Sequence, residues 1–322
     1  MFIRPRRLRL NQKIRDLVSE SEMHAKKLIM PYFIIEGENR REKISSMPGI
    51  ERVTIDNLLK DLKQDTSLGI KTVLLFGIPN HKDDIGSNAF NENGIIQKSV
   101  KAIKDAFGTG LTIITDVCLC EYTSHGHCGI VEDNYVVNDS TTELLAKVAL
   151  SHAVAGADIV APSDMMDGRV EEIRFSLDEN GFSNTLILSY AAKYCSSFYG
   201  PFRQAAGSAP QFGDRKTYQM DIRNTKEALK EITIDIEEGA DIVMIKPALS
   251  YLDVISRAKE ISTVPLCAYN VSGEYAMVKC MAEAGYADET QMTLEILTSI
   301  FRAGADFIIS YHTKDVLKAL HL

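Results

Sequence analysis

The chain has 322 residues, of which 45% are hydrophobic and 25% charged, with a formal net charge of −8. That length exceeds one small domain and suits a single α/β barrel with additions. The acidic balance argues against a broad nucleic-acid footprint. No apolar run reaches membrane-spanning length, and the basic start (Arg4, Arg6, Arg7, Arg9) has no apolar signal core behind it, so we expect a cytoplasmic protein that binds neither nucleic acid nor membrane.

Residues 1–27 come first, basic and amphipathic, ahead of any strand pattern. They fit no core position. We expect an arm packed on another subunit, with a disordered tail as the plainer alternative. From residue 28 onward, short β-branched runs recur: Leu28–Phe33, Thr72–Phe76, Leu111–Val117, Ala157–Ala161, Thr185–Tyr190, Ala240–Lys246, Val264–Tyr269 and Ala305–Tyr311. They lack strict alternation, as strands buried on both faces do. Helical patterns lie between them at Asp56–Thr66, Ile95–Phe107, Thr141–Ala155, Gly168–Leu177, Asn224–Glu238, Leu252–Ile261 and Thr290–Arg302. Eight strands alternating with helices predict an α/β TIM (β/α)8 barrel over residues 28–322. A doubly wound sheet is the other α/β solution, but no G-x-G-x-x-G follows the first strand. Three helices end in AGAD, EGAD or AGAD again, a left-handed glycine stop followed at once by a strand.

In such a barrel the chemistry sits at the C-terminal strand ends. Here the unusual residues fall there: Asp116, Cys118 and Cys120; Ser163 and Asp164; Tyr190 with Lys193 just beyond; Lys246; Asn270 and Ser272; Tyr311 and His312. The six cysteines are not spaced as a disulfide framework, since three crowd into DVCLCEYTSHGHCG. Alternation along an extended chain puts Asp116, Cys118 and Cys120 on one side, and Cys128 returns after a turn at Gly126. Three thiolates on Zn²⁺ would leave one position open for water or substrate. A closed structural site, with His125 or His127 as fourth ligand, is the alternative, and three buried unliganded thiols are a further one.

A free lysine has a pKa of ~10.4, so on the order of one in a few thousand is neutral at pH 7. Burial and a second ammonium lower that pKa, and Lys193 and Lys246 at neighbouring strand ends would supply both for Schiff-base chemistry. Either lysine alone reads more simply as an ion pair or a surface side chain. The connection over 194–221 is long and carries Gly200, Gly207 and Gly213, aromatic bulk, and Arg203 and Arg215. It reads as a lid offering two guanidinium forks to an acidic substrate, or as a surface loop with solvated arginines. His152, Met165 and Met166 read as packing, and the charge run from Glu36 to Lys43 as a solvated loop.

The segments RPRRLR, SMPGI, LFGIP, DVCLCEYTSHGHCG, VAPSDMMDGR, SYAAKY, SSFYGPFR, GDRKTYQMD, EGADIVMIKPAL, YNVSGEYAM and RAGAD together resemble the porphobilinogen synthase family, also called 5-aminolevulinate dehydratase, over essentially the whole chain. The resemblance implies a TIM barrel with an N-terminal arm, assembled as a homo-octamer. It implies condensation of two 5-aminolevulinates per active site to porphobilinogen, an early step towards heme. Lys246 matches the lysine that holds one substrate as a Schiff base, and Lys193 the second active-site lysine. Cys118, Cys120 and Cys128 match zinc ligands of the cysteine-rich branch. Arg203, Arg215 and Gln219 match residues around one carboxylate, Ser272 and Tyr311 those around the other, and Asp116 and Ser163 polar groups of the site. Glu231 matches a remote Mg²⁺ ligand. Cys195 stands where a small residue is more usual, and His312 is also unusual.

Two other functions fit parts of the pattern. A class I aldolase-like barrel would leave three cysteines and one lysine idle. A non-catalytic zinc scaffold would tend to have lost at least one lysine or thiol, and all are present.

Overall fold

The computed structural model describes residues 2–320. Eight strands form the frame: β1 Leu28–Ile35, β2 Thr72–Ile78, β3 Thr112–Val117, β4 Ile159–Pro162, β5 Leu186–Lys193, β6 Ile242–Lys246, β7 Leu266–Asn270 and β8 Phe307–Ser310. They run in sequence order around a closed parallel barrel, with β8 pairing back onto β1 through Leu28↔Ile308 and Ile29↔Ile309. Most strand residues are buried, because side chains on one face fill the barrel and those on the other meet the helices. The expected barrel is therefore the observed one.

The repeated Gly-Ala-Asp device has a clear physical basis. Gly156, Gly239 and Gly304 have φ of +104°, +104° and +122°, a region costly for any side chain, and they end the helices before β4, β6 and β8. The aspartate that follows caps the strand next door. Asp158 accepts from Ile113 N at 2.7 Å, Asp241 from Ile187 N at 2.8 Å, and Asp306 from Leu266 N at 2.8 Å. Three even-numbered strands are thus each tied to the preceding odd-numbered one at the lower rim.

Several boundaries differ from the sequence reading. β5 extends to Lys193, which therefore sits on the strand and not three residues beyond it. Ser272–Glu283 is a helix that the periodicity did not mark, because its first turn is polar and carries Gly273. The segment 194–221 is not free of secondary structure: it holds a 3-10 turn at Ser197–Tyr199 and a helix at Gly200–Ala206. The charge run contains a short strand, Arg41–Lys43, which forms a hairpin with Glu51–Val53 beside β1. His152 and the two methionines are packing residues, as expected. His152 is buried with Nδ1 3.0 Å from Thr115 Oγ1, and burial pushes its pKa down to about 3.

Before the barrel, Pro5–Arg9 and Gln12–Leu17 are short helical turns, and neither buries a residue. Phe2, Ile3, Leu8, Leu10 and Leu17 are exposed. No described helix is long and apolar enough to cross a membrane.

Candidate active site

The upper rim of the barrel gathers the chemistry. Lys193 and Lys246 are direct register partners at the ends of β5 and β6. Both are buried, and they line one small cavity with Asp116, Cys120, Glu121, Ser163 and Arg215, closed by Phe76, Tyr199 and Phe202.

Lys246 lies inside an aromatic cage. Its Nζ is 4.4 Å from the centroid of Tyr269, 5.0 Å from Phe202, 5.1 Å from Tyr190 and 5.3 Å from Tyr199. Ring faces attract an ammonium, but no hydrogen-bond acceptor is recorded for this one. Burial, then the Lys193 charge, pull its pKa down to about 7. Lys193 behaves differently from the expectation that both lysines would be depressed. Burial works against its ammonium, but Cys128 and the other two sulfurs outweigh that and its pKa rises. Its Nζ also donates to the Ser163 carbonyl. The two amines are therefore poised differently: the Lys246 ammonium is made easier to deprotonate and the Lys193 ammonium harder.

The thiols of Cys118, Cys120 and Cys128 lie within 4.8 Å of one another and are buried. Cys118 and Cys120 are 3.4 Å apart at sulfur. Burial pushes the Cys118 thiol up, while hydrogen bonds from Cys118 and Cys120 hold Cys128 well below its usual range. Both candidate fourth ligands are engaged elsewhere. His127 has Nδ1 3.0 Å from the Tyr218 hydroxyl and Nε2 3.0 Å from Phe212 O. His125 Nε2 is 3.2 Å from Asp84 O, and its Nδ1 accepts from His127 N at 3.1 Å. The three thiols thus form a donor set that fits a thiophilic cation, with neither histidine as a fourth ligand. Glu121 is a residue the sequence reading missed, although it directly follows Cys120. Its carboxylate is buried 3.2 Å from Cys120 Sγ.

Asp116 Oδ2 accepts from Ser163 Oγ at 3.2 Å, and Oδ1 is buried without a partner. Burial, then Glu121, push the Asp116 carboxyl up to about 7.

The remaining expected residues fall in four places. Arg215 is buried at the cavity wall, and its Nη2 donates to Gly126 O at 2.8 Å and Ser208 O at 2.6 Å while Nε has no partner. Arg203 is half-buried on the helix Gly200–Ala206 and does not line the cavity. Gln219 is buried with both amide atoms unpartnered and faces a neighbouring cavity that Glu231, Asp167, Asn224 and Glu227 also line. Ser272 and Tyr311 stand one layer behind the cage. Ser272 Oγ accepts from Phe202 N at 3.0 Å, and Tyr311 OH accepts from Tyr269 OH at 3.0 Å.

The segment 194–221 is docked over this mouth. Phe202 packs on Phe33 and Phe76 at 5.7 and 5.1 Å, Arg52 Nε donates to Ala205 O at 2.6 Å, and Lys82 Nζ donates to Gly207 O at 2.7 Å. A Cβ on Gly273 would lie 2.5 Å from Phe198 O, so only glycine admits this approach. Of the two unusual residues, Cys195 is half-buried, and His312 is buried against the Tyr275 ring at 4.4 Å with neither nitrogen bonded.

A TIM barrel whose mouth pairs two buried lysines with three convergent thiols has the reactive groups of an enzyme active site. The comparisons with known proteins agree on which kind. The profile of the delta-aminolevulinic acid dehydratase family matches residues 2–319, and the chain belongs to that family. The delta-aminolevulinic acid dehydratase of Methanothermus sociabilis is 54% identical over 319 residues, covering 99% of each protein. That of Bacillus subtilis is 52% identical over 319 residues, covering 99% of this chain and 98% of the relative. The crystal structure of the Toxoplasma gondii ME49 enzyme, in complex with the reaction product porphobilinogen, superposes with a TM-score of 0.96 at 45% identity, over 99% of this chain and 92% of that one.

Proposed function

We propose that this chain condenses two molecules of 5-aminolevulinate to porphobilinogen with loss of two waters, as a lyase of tetrapyrrole and heme biosynthesis. The observation that carries the reading is the register pair Lys193 and Lys246, which share one buried cavity with Cys120 of the three-thiol cluster.

Each lysine amine adds to the ketone of one substrate and water leaves, so that an imine forms at Lys193 and another at Lys246. An imine draws electrons from the adjacent carbon, which can then lose a proton and attack without passing through a free carbanion. That carbon adds to the imine carbon of the other substrate, whose lysine then leaves by elimination as the free amine. The amino group of that same substrate displaces the remaining lysine from its imine, which closes the ring, and loss of a proton gives the aromatic pyrrole with both lysines returned. Lys246 is set for this by its neutral amine near pH 7. Arg215 anchors the carboxylate of the first substrate; Arg203 and Gln219, which lie outside the cavity as it stands, would join that end only if the segment 194–221 shifts; Ser272 and Tyr311 take the carboxylate of the second. Asp116 and Ser163 form a hydrogen-bonded pair at the cavity wall for proton movement. Phe202 and Tyr199 exclude water that would hydrolyse the imines.

Cys118, Cys120 and Cys128 would hold Zn²⁺. Held there, it would supply a Lewis-acid position for an amine or hydroxyl group and would neutralise thiolate charge that otherwise falls on Lys193. Glu231 is the residue for an allosteric Mg²⁺, in a cavity whose further carboxylates are Asp167, Asp221 and Glu227. The exposed apolar residues of 2–27 fit an arm embracing another subunit, consistent with a homo-octamer in the cytoplasm. The test is porphobilinogen formation from 5-aminolevulinate, with borohydride trapping of substrate and mapping of both lysine peptides. No product, or product without label at either lysine, rejects the reading.

A further inference from the structure

Glu274 is completely buried in the third position of the helix Ser272–Glu283. A glutamate there ordinarily turns back to cap its own helix, and one oxygen does so: Oε2 accepts from Val271 N at 2.8 Å and from Asn270 Nδ2 at 3.0 Å. The other oxygen crosses to a different loop. Oε1 accepts from Leu249 N at 2.7 Å and Ala248 N at 3.2 Å. One carboxylate therefore joins the chain leaving β6 to the chain leaving β7. All four donors are N–H groups, so both oxygens serve as acceptors, and each satisfies two donors.

What these loops carry gives the contact its meaning. Lys246 lies two residues before Ala248, and Ser272 follows Val271. The chain of bonds continues to β8. Asn270 Oδ1 accepts from Ser310 Oγ at 2.9 Å, and Ser310 Oγ accepts from His312 N at 3.1 Å. Tyr311 lies between those two residues. Glu274, Asn270 and Ser310 thus run behind the ends of β6, β7 and β8, while Lys246, Ser272 and Tyr311 project from the same three ends. Glu274 itself does not line the cavity.

We propose that Glu274 is a positioning residue that sets Lys246, Ser272 and Tyr311 in one frame, so that the amine meets the ketone of the substrate whose carboxylate the two hydroxyls hold. This rests on the reading of those three residues as the site of one substrate molecule. Reaction between an amine and a bound ketone demands a correct approach distance, and a shift of about 1 Å costs on the order of a hundredfold. A single carboxylate with two arms gives that accuracy; two separately capped loops would drift independently.

Glu274→Gln tests the idea. Its amide oxygen satisfies one pair of donors, but its NH2 group opposes the other pair, so one loop is released while the side-chain shape is kept. In the metal-loaded full-length enzyme, we expect kcat/KM to fall about 10- to 100-fold. Borohydride trapping of 5-aminolevulinate on the Lys246 peptide should fall with it, whereas trapping on the Lys193 peptide and metal per subunit should stay near wild type. Ser310→Ala is the second variant, milder because it cuts only the link to β8, and should raise KM more than it lowers kcat. Wild-type activity in Glu274→Gln overturns the proposal, and so does an equal loss of label at both lysines together with lost metal, which marks general unfolding. If Glu274→Gln does not fold, an unchanged KM in Ser310→Ala overturns it. Wild-type trapping separates the two levels: product formation without label at Lys246 refutes the role of Lys246, and the proposal for Glu274 with it.

Discussion

Lys193 and Lys246 are paired in register across β5 and β6, and this adjacency is the second cause, after burial, of the low pKa of Lys246. The consequence has a definite sign. A lysine lowered to about 7 is half neutral there and loses its neutral form as pH falls. Trapping of a simple ketone acid such as levulinate on Lys246 should therefore show an acid limb near pH 7. Lys193→Met removes the neighbouring cation, so the limb should move to higher pH. The readout is the borohydride-trapping rate against pH, which needs no turnover. An unmoved limb would show that burial alone sets the amine.

The thiol cluster predicts metal dependence. Cys128→Ser should lower bound zinc to well below one per subunit and reduce kcat at least 100-fold, while far-ultraviolet circular dichroism stays unchanged. A chelator should inactivate the wild type and added zinc restore it. Acidification should release the ion, since thiolate ligands must lose their protons to bind. Metal content by mass spectrometry is the check, and a metal-free enzyme with full activity excludes the proposed site.

The barrel was legible because strands such as Ile242–Lys246 are continuously apolar and end in one polar residue, a local signal. So were both lysines and the three cysteines, whose chemistry is unusual in any context. Glu274 and Tyr269 were not. Their roles depend on which loop lies across from them, and nothing in GEY or AYN specifies that. Likewise the position of Lys193 at a strand end is visible in the sequence, whereas the pull of the three sulfurs on its ammonium is not. The different surroundings of Gln219 and Arg215, four residues apart, are also a matter of how the segment folds back after residue 213.

Arg169 and Asp235 form a buried ion pair at 3.2 Å, with Ser189 Oγ donating to Asp235 at 2.5 Å. Asp164 is 3.7 Å from the same guanidinium. Asp235→Ala should cost roughly 3–5 kcal/mol, because it strands a buried cation. Denaturant unfolding measures this. A loss below about 1 kcal/mol would mean that Asp164 takes over the pairing.

Glu231 shares a cavity with Asp167, Asp221 and Glu227, and burial, then Asp235, push its carboxyl up. If Mg²⁺ binds there, it should raise activity and favour the larger assembly in sedimentation. Glu231→Ala should abolish both responses and leave zinc content intact. An equal magnesium response in wild type and variant removes Glu231 from the site.

Finally, the segment 194–221 is docked shut: its two ends are anchored by buried Tyr194, Tyr199 and Met220, and the stretch between them is held in large part by polar contacts. Arg52 and Lys82 bind its backbone carbonyls, Ser272 binds Phe202 N, and the half-buried Phe202 packs on Phe33 and Phe76 of the barrel. Such a contact set is loose enough to open for substrate, and Arg215 then gives the segment a reason to close. Its guanidinium spends one nitrogen on Gly126 O and Ser208 O and leaves Nε free for a carboxylate at the cavity. Lysine in its place keeps the charge but cannot bond both the segment and the substrate. Arg215→Lys should therefore raise KM by about 10- to 100-fold, equivalent to roughly 1.4–2.8 kcal/mol, with zinc content and melting temperature near wild type. Hydrogen exchange gives the direct view. Amides of 198–215 should exchange faster than those of β5 and β6 in the free enzyme and gain protection with levulinate in the wild type, but far less in Arg215→Lys. Equal protection with and without levulinate would make the segment a fixed wall, and the gating role would then fail even if Arg215 binds substrate.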